Sequence, residues 1–167
     1  MIVDDKLAVT SLEYQYGVVL SQDCDLEQGS KVTTAHYNNE ESVTEFNQFL
    51  PSVLFIPAFP AELLRSGEHL VELYQIKTQK ISTNLWKSLK SNNNPRYHFL
   101  PSEPSQQIPE LVMDFKTYYT LPFRVISSQY KKYYLATVNE IFREGLSLRF
   151  ANYLSRIGLP ELPELPS

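Results

Sequence analysis

Cysteine, histidine and glycine are all scarce in this sequence, and each shortage excludes a class of protein. The single cysteine, Cys24, cannot form an internal disulfide, which excludes a disulfide-stapled scaffold and favours a reducing compartment, the cytoplasm. Only 3 histidines accompany it, scattered along the chain, so we predict no structural zinc site, no other metal and no cofactor. With 5 glycines against 11 prolines, the composition is typical of strands joined by stiff turns.

Long apolar runs and a basic leader are also lacking. No run approaches the roughly 20 residues that span a bilayer, and Asp4 and Asp5 stand where a signal peptide carries basic residues. We therefore expect a soluble, cytoplasmic protein that does not bind membranes. The formal net charge of −4 and the isoelectric point near 5.4 argue against general binding of phosphate backbones but leave room for a local basic patch.

The length of the chain predicts one domain. A sequence of 167 residues with 43% hydrophobic residues can bury a sizeable core, and we place a single globular domain at residues 1–158. Residues 159–167 repeat a Leu-Pro-Glu unit and are expected to form an extended, polyproline-like tail. This tail is open to three interpretations: a linker, a docking arm or a frayed end.

Two short apolar runs predict the core of the fold. Val18–Leu20 lies between a glycine and a polar cluster, and Val53–Pro57 is a second apolar run, closed by Pro-Ala-Phe-Pro. Continuous apolar runs of this length are typical of strands buried on both faces. We expect the two strands to lie side by side in a strongly bent antiparallel sheet, with further strands within residues 96–101 and 111–121. The predicted class is therefore α+β.

The remaining segments predict turns and peripheral helices. Residues 57–60 begin and end with proline and are expected to turn the chain. Residues 26–38 are polar and are expected to form a strand edge or a long loop. Residues 146–157 predict a C-terminal helix with one apolar face. Arg149 and Arg156 share another face of that helix and either bind an acidic partner or solvate the helix.

The only cysteine lies in a polar cluster directly after the first apolar run. Asp23 and Asp25 flank Cys24, and aspartates favour turns because their side chains bond nearby backbone N–H groups. One interpretation makes Cys24 a nucleophile, with Asp23 or Asp25 and with His36 or His98 as further catalytic residues. The other makes it a small buried thiol in a turn, and the neighbouring negative charges favour this one, because a thiolate needs a cation nearby.

Four motifs occur in an order that is found in one known family. They are a strand ending in Val18–Ser21, a second strand ending in Pro57, the segment Val112–Thr117 with its central aspartate, and a terminal helix at residues 146–157. In this order they resemble the MazF/PemK toxin family. The resemblance implies a small SH3-like β-barrel, RNA as the ligand, and a bacterial stress, toxin–antitoxin or defence system. The Ser-Gln-Asp-Cys-Asp-Leu motif also resembles a group of uncharacterised bacterial proteins, which implies no function.

The chain departs from that family where catalysis is concerned. The toxins carry Arg-Pro before the Val-Val-Leu-Ser strand, and that arginine stabilises charge during RNA cleavage; here the positions hold Tyr16 and Gly17. Cleavage by 2′-hydroxyl attack needs a base, an acid and a cation near the phosphate. We therefore expect a non-catalytic module that binds RNA or a protein partner. The alternative is an enzyme, either a divergent endoribonuclease or a hydrolase that depends on Cys24.

Two stretches are candidates for binding RNA or a partner. Arg96, Tyr97 and His98 offer a cation, a stacking ring and a general base, although the same pattern is typical of an ordinary strand with alternating sides. A second stretch interleaves lysines with tyrosines, as single-stranded RNA sites do, and it also suits a plain helix or strand surface. Its candidate residues are Tyr130, Lys131 and Lys132, together with Arg124 upstream. The sequence also leaves open the formation of a homodimer.

Overall fold

The structure, a computed structural model, describes residues 2–3, 6–7, 12–37 and 49–156. The predicted tail at residues 159–167, and with it the domain boundary at residue 158, lies outside the described residues. The strands are β1 Ile2–Val3, β2 Lys6–Leu7, β3 Tyr16–Val19, β4 Ser52–Pro60, β5 Tyr97–Leu100, β6 Leu111–Asp114 and β7 Tyr119–Pro122. The helices are α1 Asp23–Tyr37, α2 Ala61–Ser66, α3 Val71–Tyr74, α4 Thr83–Lys90, α5 Phe123–Tyr133 and α6 Glu140–Leu154, with a 3₁₀ turn at Pro104–Gln106.

Strand β4 is the centre of the main sheet. Its residues pair with β3 along one edge, from Phe55 opposite Val19 to Ala58 opposite Tyr16. Along the other edge they pair first with β7 and then with β6, and β5 pairs with β6. Every pairing is antiparallel. The prediction that the two apolar runs lie side by side is therefore confirmed, as is the α+β class with an antiparallel sheet.

The sheet is open among the described residues. Its strand order is β3-β4-β6-β5, with β7 beside β4, and β3 and β5 lie at opposite ends of that order. The predicted closed barrel is therefore not shown. A short hairpin of β1 and β2 forms a separate two-stranded sheet.

Helices cover both faces of the main sheet. On one face Ile56 and Met113 pack against Leu146 and Phe150 of α6, together with Phe115. On the other face, Phe59 of β4 and Val112 of β6 pack against α2 and α4. Their cluster includes Leu64, Trp86 and Leu89. Successive side chains of a strand point to opposite faces, so the apolar runs are continuous because both faces are buried.

Two predictions about local structure were wrong. Of the segment predicted at residues 26–38, the described part, residues 26–37, does not form a strand edge or a loop, because α1 runs from Asp23 to Tyr37 and includes Cys24 in its first turn. The aspartates that suggested a turn lie instead at the helix N-terminus, where the helix dipole favours negative charge. Residues 57–60 do not turn the chain but continue β4 to Pro60.

Pro57 is tolerated inside β4 because of its position in the sheet. It lies opposite Gly17 of β3, and on its other edge β4 has no partner at residues 56–57 within the described chain, between the segments paired with β7 and β6. Proline removes one N–H donor. At this gap the loss breaks no bond to a neighbouring strand.

The C-terminal helix is longer than predicted. It begins at Glu140, and the Asn139 side chain caps it by accepting a hydrogen bond from the Ile141 N–H at 3.3 Å. Leu146 and Phe150 are buried, as their spacing predicted. Of the helices in the described ranges, none is both long and apolar enough to cross a membrane.

We predict that Leu146→Ala lowers the free energy of unfolding by about 2–5 kcal/mol, because Leu146 is fully buried against the sheet and its truncation leaves a cavity. Leu148→Ala is the matched control, since the same change occurs on the same helix at a side chain that is 64% exposed. It should cost less than about 0.5 kcal/mol. Urea unfolding of the two variants measures the difference, and equal losses would contradict the packing of α6 on the sheet.

Candidate nucleic-acid interface

The structure distributes the predicted site residues over three separate elements. Asp23, Cys24 and Asp25 open α1, whereas Arg96, Tyr97 and His98 stand at the start of β5. The others lie on α5, and they are Arg124, Tyr130, Lys131 and Lys132. No hydrogen bond or ion pair within the described chain joins the first two groups. The predicted catalytic set is therefore not assembled by any described contact.

The Cys24 thiol is exposed and makes only local contacts. It donates to Gln22 Oε1 at 3.6 Å and to Asp25 Oδ1 at 3.8 Å, both within its own turn. The expected burial of this thiol was wrong, because the residue faces solvent at the helix start. No cation contacts the sulfur among the described residues, and a cation is what a reactive thiolate needs. Within the described ranges, no group of three or more His, Cys, Asp and Glu side chains is placed to hold a metal ion.

Arg96 is committed to an ion pair. Its Nε lies 2.8 Å from Asp114 Oδ1 and its Nη2 lies 2.5 Å from Asp114 Oδ2, a bidentate arrangement. The Asp114 carboxylate is buried and also accepts the Lys116 N–H at 3.0 Å. The guanidinium lies 5.0 Å from the centroid of the Tyr97 ring. The charge of Arg96 is thus neutralised inside the protein, which leaves little for a phosphate.

His98 is an interior residue. It is 4% exposed, its ring lies against Phe115, and its Nδ1 accepts a hydrogen bond from Arg149 Nε at 3.1 Å. Burial, and then the charge of Arg149, lower the pKa of His98 to about 4. The imidazole is therefore neutral at neutral pH and lies out of reach of a bound chain.

Arg149 has a role that its sequence position did not suggest. Besides His98, its guanidinium donates to the backbone carbonyls of Asn92, Asn94 and Tyr97, the last two at 2.7 and 2.8 Å. Both interpretations based on the sequence placed Arg149 in solvent or against a partner, and both were wrong. The side chain instead fastens α6 to the loop before β5.

The exposed surface of α5 differs from the region around Arg96, His98 and Arg149, because its side chains are not committed to contacts inside the protein. Phe123 anchors the start of the helix in the core, but the side chains at its other end are open to solvent. Tyr130 is 53% exposed and Tyr133 is 64% exposed. The rings of Tyr130 and Tyr134 lie 4.7 Å apart, and Lys132 Nζ lies 4.6 Å from the centroid of Tyr133. We call this surface the α5 patch, and its residues are Arg124, Tyr130, Lys131, Lys132, Tyr133 and Tyr134.

The cations of the α5 patch are uncompensated. Arg124, Lys131 and Lys132 are exposed, and none forms an ion pair with a described residue. By contrast, the surface lysines Lys31 and Lys90 pair with glutamates at 2.8 Å. Arg124 and Lys131 are seven residues apart, which places them on one side of a helix.

A signal for this patch was present in the sequence but was not used. Residues 115–139 contain four cations and no acidic residue, although the whole chain carries 19 Asp and Glu. All charges in this stretch are positive, a local property that does not show in the net charge of −4 of the whole chain. Tyr133 and Tyr134 directly follow the predicted lysines within this acid-free stretch, so they belong to the same patch.

Comparison with known proteins returned no match: no family model, no curated protein and no solved structure matches the chain. The resemblance to the MazF/PemK family therefore stays a prediction. The geometry of the α5 patch is what bears on function.

We predict that acid destabilises the protein through His98. Its folded pKa of about 4 lies below the ordinary 6.5, so between these values the unfolded chain binds a proton that the folded chain does not. The stability from the neutral imidazole is full above about pH 6.5 and falls as the pH drops towards 4, by up to about 3 kcal/mol. Urea unfolding at several pH values in this window measures the loss.

The His98→Gln variant isolates this effect. Its amide oxygen can still accept from Arg149 but does not titrate. The variant should lose less stability than the native chain over the same window, whereas other groups, including His69 with its pKa also lowered by burial, titrate equally in both. Parallel pH profiles for the two proteins would show that His98 is not the source.

Proposed function

We propose that the protein is a non-catalytic module that binds single-stranded RNA through the α5 patch. The observation that carries this proposal is the combination of unpaired cations with exposed tyrosine rings on one short helix. Elsewhere in the described chain, Lys31, Lys77 and Lys90 pair with glutamates and Arg96 pairs with Asp114. A polyanion that binds the α5 patch therefore does not have to displace a described carboxylate from an ion pair.

The chemistry of the α5 patch favours a single strand over a duplex. Unstacked bases present flat faces that stack on aromatic rings, and each such contact is worth about 1–3 kcal/mol. In a duplex those faces are hidden, so Tyr130, Tyr133 and Tyr134 would add nothing. Lys131 and Lys132 can meanwhile reach phosphates, while the net charge of −4 disfavours contact with a long polyanion elsewhere. A short, salt-sensitive binding site is the expected result.

The kinship with the MazF/PemK family forms part of the proposal. We infer that β3 and β4 correspond to the two core strands of that family and that the sheet is an opened relative of its SH3-like barrel. The inferred context is a bacterial stress, toxin–antitoxin or defence system. Binding of a protein partner and formation of a homodimer stay predictions, which light scattering and capture with candidate partners would measure.

Two features support binding without cleavage. Tyr16 and Gly17 stand where the toxins carry Arg-Pro, and the ring of Phe55 lies where a side chain on Gly17 would begin. A proline at position 17 would therefore require that ring to move. In the toxins a Thr/Ser-rich loop follows the proline of the second strand; here Ala58, Phe59 and Pro60 stand at those positions and belong to strand β4.

We predict that the double variant Lys131→Gln/Lys132→Gln binds single-stranded RNA roughly tenfold more weakly, because two phosphate contacts are lost. Tyr130→Ala/Tyr133→Ala should weaken binding at least as much by removing stacking. Fluorescence anisotropy with a labelled mixed-sequence RNA of about 12 nucleotides measures both. The RNA should leave the assay intact.

The matched control is Lys87→Gln/Lys90→Gln, which removes the same charge from α4, another exposed helix. It should bind like the native chain. Equal weakening in both lysine pairs would mean that only net charge matters, and failure of the native chain to bind would refute the RNA proposal. Efficient cleavage of the RNA would refute the non-catalytic part alone.

A further inference from the structure

A second concave site lies away from the α5 patch, on the face of the sheet covered by α2 and α4. It is a groove of about 400 Å³ between the segment before β3, the end of β4 and the region of α2 and α3. Volumes of this size are typical of small-molecule sites. Its lining includes Glu13, Tyr14, Phe59, Glu68, His69 and Glu72.

The charge of the groove is negative. Glu68 is neutralised by Lys77, whose Nζ lies 2.9 Å from its carboxylate. Glu13 and Glu72 are exposed and have no cation partner among the described residues. Burial lowers the pKa of His69, so its imidazole adds no positive charge at neutral pH. Two carboxylates are therefore left to attract a cation.

Tyr14 lines the groove, and its hydroxyl belongs to a ring of three hydroxyl groups. The Tyr14 hydroxyl is 2.7 Å from that of Tyr119 and 2.9 Å from that of Tyr74, which are themselves 2.9 Å apart. Each hydroxyl has one proton, so three mutual hydrogen bonds use all three. What remains on the outside is lone pairs, which accept hydrogen bonds and repel anions. Burial and these bonds raise the pKa of Tyr14, so its hydroxyl stays neutral.

The wall of the groove is aromatic and apolar. Tyr14 and Phe59 have ring centroids 6.3 Å apart, and Phe59 and His69 have theirs 5.0 Å apart. Leu63 and Val71 line the same space. A wall of this kind packs well against methylene groups, and aromatic faces attract cations.

We propose that this groove binds an aliphatic ammonium ligand with two positive charges, a diamine or polyamine. The two free carboxylates meet the two ammonium groups, the Tyr14 hydroxyl accepts a hydrogen bond from one of them, and the apolar wall covers the methylene chain. The same chemistry could be supplied by neighbouring lysines of a peptide, so the experiment includes that source. The groove and the α5 patch share no residue, and the proposal does not depend on RNA binding.

The test is calorimetric titration of the full chain with cadaverine and spermidine, with pentanediol as the uncharged counterpart of cadaverine. The amines should bind and pentanediol should not. Amide NMR shifts should cluster at Tyr14, His69 and Glu72. A peptide with two adjacent lysines, compared with its norleucine counterpart, decides between the sources: tighter binding of the peptide than of spermidine assigns the ammonium groups to a protein.

The decisive variant is Glu72→Gln, an exposed change that should leave the fold intact. It should weaken amine binding about three- to fivefold, the usual worth of one exposed charge contact, and adding Glu13→Gln should weaken it further. Glu62→Gln is the control, because its side chain is 79% exposed on α2 and does not line the groove. Absence of amine binding, equal binding of pentanediol, or equal losses for Glu62→Gln and Glu72→Gln would each overturn the proposal.

Discussion

Strand β4 is the constraint on which the rest of the structure depends, because it is paired on both edges and covered on both faces. Its nine residues pair with three strands, β3, β6 and β7, and five of the nine are buried. Buried side chains of the strand belong to the apolar clusters on both faces of the sheet. Helix α6 can pack on one face, and α2 and α4 on the other, only because β4 presents alternating apolar side chains to both.

The same arrangement decides which charges are available at the surface. Two of the arginines lie next to the β5 edge and are held there: Arg96 binds the buried Asp114, and Arg149 binds backbone carbonyls. Placing charges near a core requires such compensation. The cations at the far end of α5 lie beyond the last buried turn of that helix and have no acidic partner among the described residues. The distribution of free charge thus follows from where the core ends.

The parts of the fold that could be predicted from sequence are those with periodic or continuous apolar patterns. The runs around Val19 and Phe55 predicted adjacent strands, and the spacing of Leu146 and Phe150 predicted a helix. Both predictions were possible because buried strands and helices have continuous or periodic apolar residues in the sequence. The start of α1 was missed, since aspartates serve equally in turns and in the first turn of a helix. The turn predicted at residues 57–60 was wrong because only the sheet shows that β4 has a gap at which Pro57 breaks no hydrogen bond.

The candidate sites were harder to predict than the fold. Arg96 and Lys131 are both cations beside tyrosines, and nothing local distinguishes the one that pairs with a buried aspartate 18 residues away from the one that stays free. Likewise, no pattern joins Tyr14, Tyr74 and Tyr119, because their separations of 45 to 105 residues are set by the sheet and its loops. Which charges are compensated depends on the tertiary structure and is not visible in the local sequence. The sequence does show the stretch without acidic residues that contains the uncompensated cations of α5.

The way in which Arg149 holds the loop before β5 has an evolutionary consequence. Three of its acceptors are main-chain oxygens, which every amino acid possesses, so the contact with Arg149 itself places no requirement on the side chains that carry them. The arginine has no such freedom, since a lysine has one nitrogen and cannot reach several diverging carbonyls at once. The asparagines of the loop are constrained separately, because the Asn92 side chain bonds the Phe99 backbone and the Asn94 side chain accepts from the Arg96 N–H.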